Sequence, residues 1–290
     1  MGAAGVDDDS GSGFCQADAA VAALANDAFN VTATTAPNSV PEPGASVDYT
    51  VRIDNTGNTP LSLLSLTDNV NGNLIGQGTC TLPQMIAASG FYECTYPQMV
   101  LANAGTVVST TTTAMVSSPT TTLSDTDTTS VSVTDVLPTI SFSNVVAPTT
   151  LPEPGGTVTY TLRTDNTSVE AITITSLLSN VDGNLAGQGS CSLPQVVAIG
   201  GFYECSYEVN INGNAGASFS NIVAVTARDD EANNVQGSDS ASISLSDVLP
   251  SISVSNTPSL SSVNEPGAPV TFTVRVDNAS VESVTLSALV

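Results

Sequence analysis

Apolar and polar residues alternate one by one in several stretches of the chain, most clearly in residues 47–53, 158–163 and 270–276. In the first stretch, Asp48 and Thr50 separate Val47, Tyr49 and Val51. Successive side chains of a β-strand point to opposite faces, so this pattern indicates strands with one buried and one solvated face. Parallel strands covered on both faces would instead be continuous apolar runs. The pattern therefore predicts antiparallel sheets.

The chain repeats itself with a period of about 110 residues. Pro-Glu-Pro-Gly at residues 41–44 returns at residues 152–155 and, as Asn-Glu-Pro-Gly, at residues 264–267. Asp-Val-Leu-Pro at residues 135–138 returns at residues 247–250. Solenoid repeats take about 20–50 residues, whereas a complete β-sandwich domain takes about 100. Each repeat is therefore predicted to fold around its own core.

These motifs divide the sequence into four parts. Residues 1–26 precede the repeats, and their stretch 17–25 is a candidate short helix. Residues 27–136 and 137–248 form two complete repeats, and residues 249–290 begin a third that stops before a cysteine pair would occur. We predict an all-β protein of tandem immunoglobulin-like antiparallel β-sandwich domains, taken from a longer array.

Two local signals refine this prediction. Asn71-Gly72 and Asp182-Gly183 occupy equivalent positions and predict two-residue type I′ hairpins, in which both central residues have positive φ. The run of Thr and Ser at residues 109–130 has the composition of a low-complexity segment, but it aligns with residues 220–241, which include an apolar stretch. We interpret it as strand plus loop.

Four of the five cysteines recur with the repeat. The spacing from Cys80 to Cys94 is the same as that from Cys191 to Cys205, which favours one disulfide per repeat and an extracellular, oxidising location. A disulfide closing a loop of about 15 residues stabilises a domain by about 3 kcal/mol in the chain-entropy model. Free thiols are the alternative. Cys15 has no repeat partner and is either unpaired or bonded to another chain.

Three of the four arginines occupy one repeat position, two residues before an aspartate. Residues i and i+2 of a strand share a face, so each pair is predicted to form an ion pair on the outer surface of its sandwich. Such a pair contributes at most about 1 kcal/mol, and we assign it no ligand role. The pairs are Arg52 with Asp54, Arg163 with Asp165, and Arg275 with Asp277.

The formal net charge is -23, and the sequence contains neither histidine nor lysine. A strongly acidic surface repels nucleic-acid phosphates, and no apolar run reaches the ~18–20 residues of a membrane span, so neither nucleic-acid binding nor direct membrane insertion is expected. Without histidine or lysine there is no imidazole base, Schiff-base amine or phosphate-loop lysine. Carboxylates alone can serve a glycosidase, but here most recur with the repeat. We predict that the protein is not an enzyme.

Cations are the counter-ligands that this charge favours, and calcium takes six to eight oxygens. Acidic residues occur at the predicted domain junctions and in one loop of the second repeat, where they are either calcium ligands or solvated turn residues. The junction candidates are Asp135 with Glu153, and Asp247 with Glu265; the loop candidates are Asp229, Asp230 and Glu231. Calcium is the one cofactor that the sequence suggests.

The motif order within a repeat is Pro-Glu-Pro-Gly, Arg-x-Asp-Asn, Gly-Gln-Gly-x-Cys, Gly-Phe-Tyr-Glu-Cys and Asp-Val-Leu-Pro. Over residues 27–290 this order resembles the Ig-like conserved repeats of long bacterial and archaeal cell-surface proteins. The resemblance implies a structural role as a stalk, fibre or adhesin shaft that self-associates into a fibre or array. The alternative is an adhesin-type binding module that recognises carbohydrate, calcium or a host protein through loops at the end of the sandwich.

Two further features concern the surface. Asn30, Asn166 and Asn278 lie in Asn-x-Ser/Thr sequons and are candidate glycosylation sites. Aromatic residues are 4% of the chain, and most occupy alternating or cysteine-adjacent positions that are expected to be buried, which disfavours stacking on sugars. The tyrosine two residues before Cys94 and Cys205 is similar to the tyrosine corner of antibody domains.

Overall fold

The computed structural model describes residues 26–290, which form β-strands, turns and irregular segments. The candidate helix at residues 17–25 and Cys15 lie outside the described residues. Within the part that is described, no helix is long and apolar enough to cross a membrane. The chain divides into two compact units between Val136 and Leu137.

The first unit consists of two sheets. A three-stranded sheet has the order β1-β3-β7, and a six-stranded sheet has the order β2-β9-β8-β4-β5, with β6 paired to β4. The strands of this unit are β1 (Phe29–Ala36), β2 (Ser39–Pro41), β3 (Gly44–Asn55), β4 (Leu61–Asp68), β5 (Gly72–Asn73), β6 (Gln84–Ile86), β7 (Phe91–Leu101), β8 (Val107–Ser117) and β9 (Thr122–Thr134).

The second unit repeats this arrangement, with sheets β10-β12-β16 and β11-β18-β17-β13-β14 and with β15 paired to β13. Each of these strands has the same length as its counterpart in the first unit. They are β10 (Ile140–Ala147), β11 (Thr150–Pro152), β12 (Gly155–Asn166), β13 (Ile172–Ser179), β14 (Gly183–Asn184), β15 (Gln195–Val197), β16 (Phe202–Asn212), β17 (Ser218–Arg228) and β18 (Asn234–Ser246). The described part of the chain is thus two tandem immunoglobulin-like β-sandwiches and a final hairpin.

The core of each sandwich lies between its two sheets. In β3, Val47, Tyr49 and Val51 are buried, whereas Asp48 between them is exposed. The same face of β12 is buried in the second unit, and the two cores contain matching clusters. The alternation that predicted half-buried strands is confirmed in both units, because only the inward residues lose contact with water.

One pair of strands in each unit departs from the predicted antiparallel arrangement. β2 runs parallel to β9, and β11 runs parallel to β18. The physical reason is that the chain leaves the three-stranded sheet after β1 and joins the edge of the other sheet while keeping its direction. The last strand of the unit already runs that way, so the short edge pair is parallel.

The predicted type I′ hairpins are wrong. Asp68 pairs with Gly72, so three residues rather than two connect β4 to β5, and Ser179 pairs with Gly183 in the same way. Only the glycine of each predicted turn has positive φ, 70° at Gly72 and 72° at Gly183. This is the geometry of a three-residue hairpin that ends in a left-handed glycine.

The Thr- and Ser-rich run is ordered strand. Residues 107–117 form β8, residues 122–134 form β9, and a four-residue turn connects them. Thr110 and Thr112 are buried on the inner face, and the hydroxyls of Thr111 and Thr128 lie 2.9 Å apart on the outer face. The interpretation as strand plus loop agrees with this structure.

Residues 249–290, predicted as an incomplete third repeat, group with the second unit and contribute the antiparallel hairpin of β19 (Ile252–Pro258) and β20 (Phe272–Asn278). Phe272 and Val274, expected on a buried face, are 61% and 41% exposed. The reason is that, among the described residues, no second sheet covers this hairpin.

Candidate functional site

The glutamate of the Pro-Glu-Pro-Gly motif is buried in both complete repeats. Glu42 is 4% exposed, and its carboxylate accepts hydrogen bonds from the backbone N–H groups of Ala104, at 3.0 Å, and Val136, at 2.8 Å. Val136 belongs to the Asp-Val-Leu-Pro motif. The two motifs that define the repeat therefore meet in space, and we name this arrangement the glutamate clamp.

The second unit has the same clamp. Glu153 is 6% exposed and accepts hydrogen bonds from the N–H groups of Ala215, at 2.8 Å, and Val248, at 3.0 Å. The bonds from Val248 and then Ala215 favour the ionised carboxylate and hold the pKa of Glu153 below its usual range, against an opposing effect of burial. The clamp is thus a charge-assisted contact at neutral pH.

The glutamate clamp extends a set of backbone bonds between the beginning and the end of each unit. In the first unit, the N–H of Glu42 donates to the carbonyl of Thr134 at 3.0 Å, and the N–H of Ser132 donates to the carbonyl of Asn38 at 3.1 Å. These bonds flank the parallel pair β2–β9. The N-terminal segment of the unit is therefore fastened to its last strand.

Aspartates of the last strand make a second connection to the first strand. In the first unit, Asp125 and Asp127 of β9 accept hydrogen bonds from the N–H groups of Val31 and Ala33 in β1, each at 2.8 Å. These side chains satisfy backbone donors at an edge of the three-stranded sheet. In the second unit, Asp239 accepts from the N–H of Asn144 at 2.9 Å.

Each of the linker aspartates lies beside the glutamate of its own repeat. Carboxylate oxygens of Asp135 and Glu42 are within 4.8 Å of each other, and Asp247 hydrogen-bonds to Glu153. The sequence suggested pairing each linker aspartate with the glutamate of the next repeat. The structure differs because each buried glutamate accepts a hydrogen bond from the residue that follows the aspartate of its own repeat. Glu265 is exposed. Calcium binding by these residues stays a prediction.

The loop candidates divide into two groups. Asp229 is buried and accepts hydrogen bonds from the backbone N–H and the Nδ2 of Asn233, at 2.7 and 3.0 Å, so it closes its own loop. Asp230 interacts with Glu170 and Glu231, and the bond with Glu170 contributes most to lowering the pKa of Asp230. Glu170 was not among the predicted residues, because it lies far away in the sequence. Cation binding by this loop also stays a prediction.

Both disulfides are present. Cys80 bonds to Cys94, and Cys191 bonds to Cys205, each with Cα atoms 4.9 Å apart. In the first unit the bond fixes the long loop before β6 onto β7. Beside it, the Tyr92 hydroxyl accepts from the N–H of Thr81 at 2.8 Å and donates to its carbonyl at 3.1 Å. The tyrosine that resembles a tyrosine corner therefore holds the same loop.

Arg52 and Arg163 lie on the outer faces of the sandwiches. An Arg52 Nη atom is 2.8 Å from Asp54, and its guanidinium lies 3.7 Å from the centre of the Phe91 ring. Sequence reasoning missed Phe91 as a partner of Arg52, and its ring, 56% exposed, does not follow the expectation that most aromatic residues are buried. Cys94 points inward, so the odd-numbered residues of β7 point outward. This alternation was the sequence signal that the ring of Phe91 faces solvent.

The other repeats carry the same ion pair. An Arg163 Nη atom is 2.6 Å from Asp165, and its guanidinium lies 3.6 Å from the Phe202 ring centre. The corresponding distance from Arg275 to Asp277 is 2.7 Å. These exposed contacts have the geometry of surface ion pairs, which contribute little to stability.

The sequons differ in accessibility. Asn166 is 2% exposed, and its Nδ2 donates to the carbonyls of Glu170, Val197 and Ala198, so both of its N–H groups are occupied. Glycosylation of Asn166 is therefore incompatible with the folded unit. Asn278 Nδ2 donates to the carbonyl of Glu282, whereas Asn30 is exposed and Nδ2 contacts Thr32. Modification of Asn30 or Asn278 stays a prediction.

No protein-family model and no curated protein matches the sequence. Among solved structures, the chain is similar to red sea bream transglutaminase at 12% identity and a TM-score of 0.28, over 83% of this chain and 34% of that one. It is also similar to a variant of Salmonella alpha-2-macroglobulin at 13% identity and a TM-score of 0.28, over 80% and 17%. The chain spans about a third or less of these proteins. At such TM-scores the likeness says nothing about function.

Proposed function

We propose that the chain is a load-bearing spacer of an extracellular stalk, fibre or filament on a microbial cell surface. The β-sandwich fold and the disulfides are compatible with an extracellular structural module. The glutamate clamp is the observation that carries the proposal, because it fastens the N-terminal segment of each complete repeat to the residue where that repeat ends.

A spacer under tension is pulled at its two ends. Because β2 and β9 run parallel, opposite forces on the N-terminal and C-terminal ends load the bonds between them together, in shear. The Glu42 carboxylate adds a charge-assisted bond to Val136 at the same place. A unit built in this way resists extension until several bonds break at once.

The similarity of the two units supports a spacer over an adhesin-type binding module. Their corresponding strands have equal lengths, and the turn before the last strand differs by one residue, residues 118–121 against residues 229–233. Receptor-binding loops usually vary while their scaffold stays constant. We also propose that the protein has no catalytic activity, since it lacks histidine and lysine.

Single-molecule force spectroscopy on the full chain tests the proposal, with handles at its two ends. We expect two major unfolding events, one per sandwich. Glu42→Gln places an amide N–H against a backbone donor and should lower the force of one event, and Glu153→Gln should lower the other. Glu93→Gln changes an exposed residue outside the clamp and serves as the control. Unfolding forces unaltered by both clamp variants would contradict the proposal.

Self-association into a fibre is the second part of the proposal. Electron microscopy of the purified chain, with and without a calcium chelator, addresses it directly. Dispersed single particles under all conditions would count against a fibre. Fibres that are unchanged by the chelator would count against calcium as a structural ligand.

A further inference from the structure

A cavity of about 270 Å³ lies between the two sheets of the second unit. It is smaller than the ~300–1,000 Å³ pockets of drug-sized ligands, so only a small molecule fits. Its wall combines apolar side chains with several polar groups. The apolar wall includes Val209, Ile211 and Phe219, and the polar groups include Tyr160, Asp182 and Asn221.

One difference between the repeats lies in the wall of this cavity. Gln98 in the first unit occupies the position of Val209 in the second. Gln98 is buried, and its Oε1 accepts a hydrogen bond from Asn71 Nδ2 at 2.9 Å. The shorter, branched side chain of Val209 makes no such bond and occupies less volume than Gln98 does.

The second difference is a charge. Asp182 stands where the first unit has Asn71, and among the residues that the structure describes it is the only charged one that lines the cavity. Its Oδ2 accepts hydrogen bonds from Asn221 Nδ2 at 2.9 Å and, more weakly, from Ser179 and Tyr207. Its Oδ1 accepts no hydrogen bond from the described residues, so a carboxylate oxygen with full acceptor capacity is available.

We propose that this cavity binds a small organic cation, a primary ammonium group on an apolar body. The ammonium group would donate to Asp182, and the body would contact Val209, Ile211 and Phe219. A lone carboxylate offers too few oxygens for calcium, and both Asp182 and the net charge of -23 repel anions. Apolar walls with a single charge are the chemistry that an alkylamine or arylalkylamine requires.

Titration of the isotope-labelled full chain by NMR tests the site, with benzylammonium as the probe and benzyl alcohol as its neutral counterpart. We expect saturable shifts of the amides of residues 181–183 and 218–221. The equivalent amides of the first unit, residues 70–72 and 107–110, should not respond. Benzyl alcohol should bind at least tenfold more weakly, because it lacks the charge.

Two variants make the test decisive, and each installs the residue that the first unit already has. Asp182→Asn should weaken benzylammonium binding at least tenfold, and Val209→Gln should abolish it by filling the cavity. The triple variant Gln98→Val, Asn71→Asp and Asp68→Ser should create binding in the first unit, and Asp68→Ser prevents two carboxylates from facing each other there. Thermal unfolding verifies that each variant is folded. The proposal is overturned if the wild type gives no saturable shifts, if benzyl alcohol binds equally well, or if both single variants bind as the wild type does.

Discussion

The hydroxyl of Tyr96 donates a hydrogen bond to Asp68 Oδ2 at 2.8 Å in the interior of the first unit. In the second unit the equivalent tyrosine, Tyr207, lies 3.4 Å from the carboxylate of Asp182. Ser179, not Asp182, occupies the position of Asp68 in the second unit. The carboxylate that accepts the tyrosine hydrogen bond therefore comes from positions that differ by three residues between the two repeats. A buried phenol requires an acceptor, and either position of the turn can provide it.

Tyr96→Phe should therefore destabilise the first unit by about 1–3 kcal/mol, since Asp68 loses a donor in a buried site. Burial raises the pKa of Asp68, but hydrogen bonds from Asn71, Tyr96 and Val70 outweigh it, and the net pKa lies below the usual value. Because the pKa of Asp68 is lower in the folded state, ionised Asp68 stabilises the unit at pH values above its unfolded-state pKa of about 3.9. This stabilisation is lost as the pH falls through the folded-state pKa.

The effect of Tyr96→Phe should accordingly be largest near neutral pH and smaller in acid, once Asp68 is protonated. Urea unfolding followed by circular dichroism at about pH 7 and at an acid pH below the folded-state pKa of Asp68 measures both values. Tyr207→Phe is the matched control and should have a weaker pH dependence, because its contact with Asp182 is longer. An equal loss for Tyr96→Phe at the two pH values would show that the carboxylate does not matter.

The strand faces and the disulfides could be predicted because their signals are local or repeat with the chain. Val47 and Asp48 differ in polarity because one faces the core and the other faces water. The prediction of two-residue hairpin turns was wrong, because the dipeptide Asn71-Gly72 suits both two-residue and three-residue turns. Only the pairing of Asp68 with Gly72 distinguishes the two turn lengths.

The glutamate clamp could not be predicted, although both of its motifs were recognised. Glu42 and Val136 are 94 residues apart, and their contact depends on β2 changing sheets to lie beside β9. Alternation along the chain contains no information about which edge strands meet. The cavity of the second unit could not be predicted for a similar reason. The difference between Gln98 and the equivalent Val209 changes the interior only where the opposing sheet packs against it.

Gly44→Ala should destabilise the first unit strongly. Gly44 has φ of 125°, and a Cβ at this position would lie 1.8 Å from the carbonyl oxygen of Val100 on the neighbouring strand. Both backbone strain and displacement of β7 oppose the substitution, so we expect a loss of about 3 kcal/mol or more. Gly72→Ala is the control, since Gly72 also has positive φ but no atom within 4 Å of its Cβ position.

We expect Gly72→Ala to cost only about 1 kcal/mol, the penalty of a left-handed backbone alone. Chemical denaturation of the two variants compares the free energies of unfolding. Similar losses for the two glycines would contradict the close approach of Gly44 to β7.

Removal of the first disulfide by Cys80→Ala with Cys94→Ala should destabilise the first unit by about 3 kcal/mol, because it releases a loop closed over a sequence separation of 14. The second unit keeps its own disulfide and should unfold as in the wild type. Calorimetry of the double variant should show only one transition moved to lower temperature. Two displaced transitions would mean that the units do not unfold independently.

Glu153 makes the stability of the second unit dependent on pH. The N–H groups of Val248 and Ala215 lower the folded-state pKa of Glu153, so the clamp stabilises the unit above the unfolded value of about 4.3 and loses its effect as the pH falls through the folded value. Glu153→Gln should lower the melting temperature of the second unit near neutral pH and flatten its decrease toward about pH 3. Glu204→Gln, which alters an exposed carboxylate, should keep the wild-type pH profile. If Glu153→Gln retained that profile as well, the acid sensitivity of the unit would have to arise from other carboxylates, and the clamp would be no more than a passive contact.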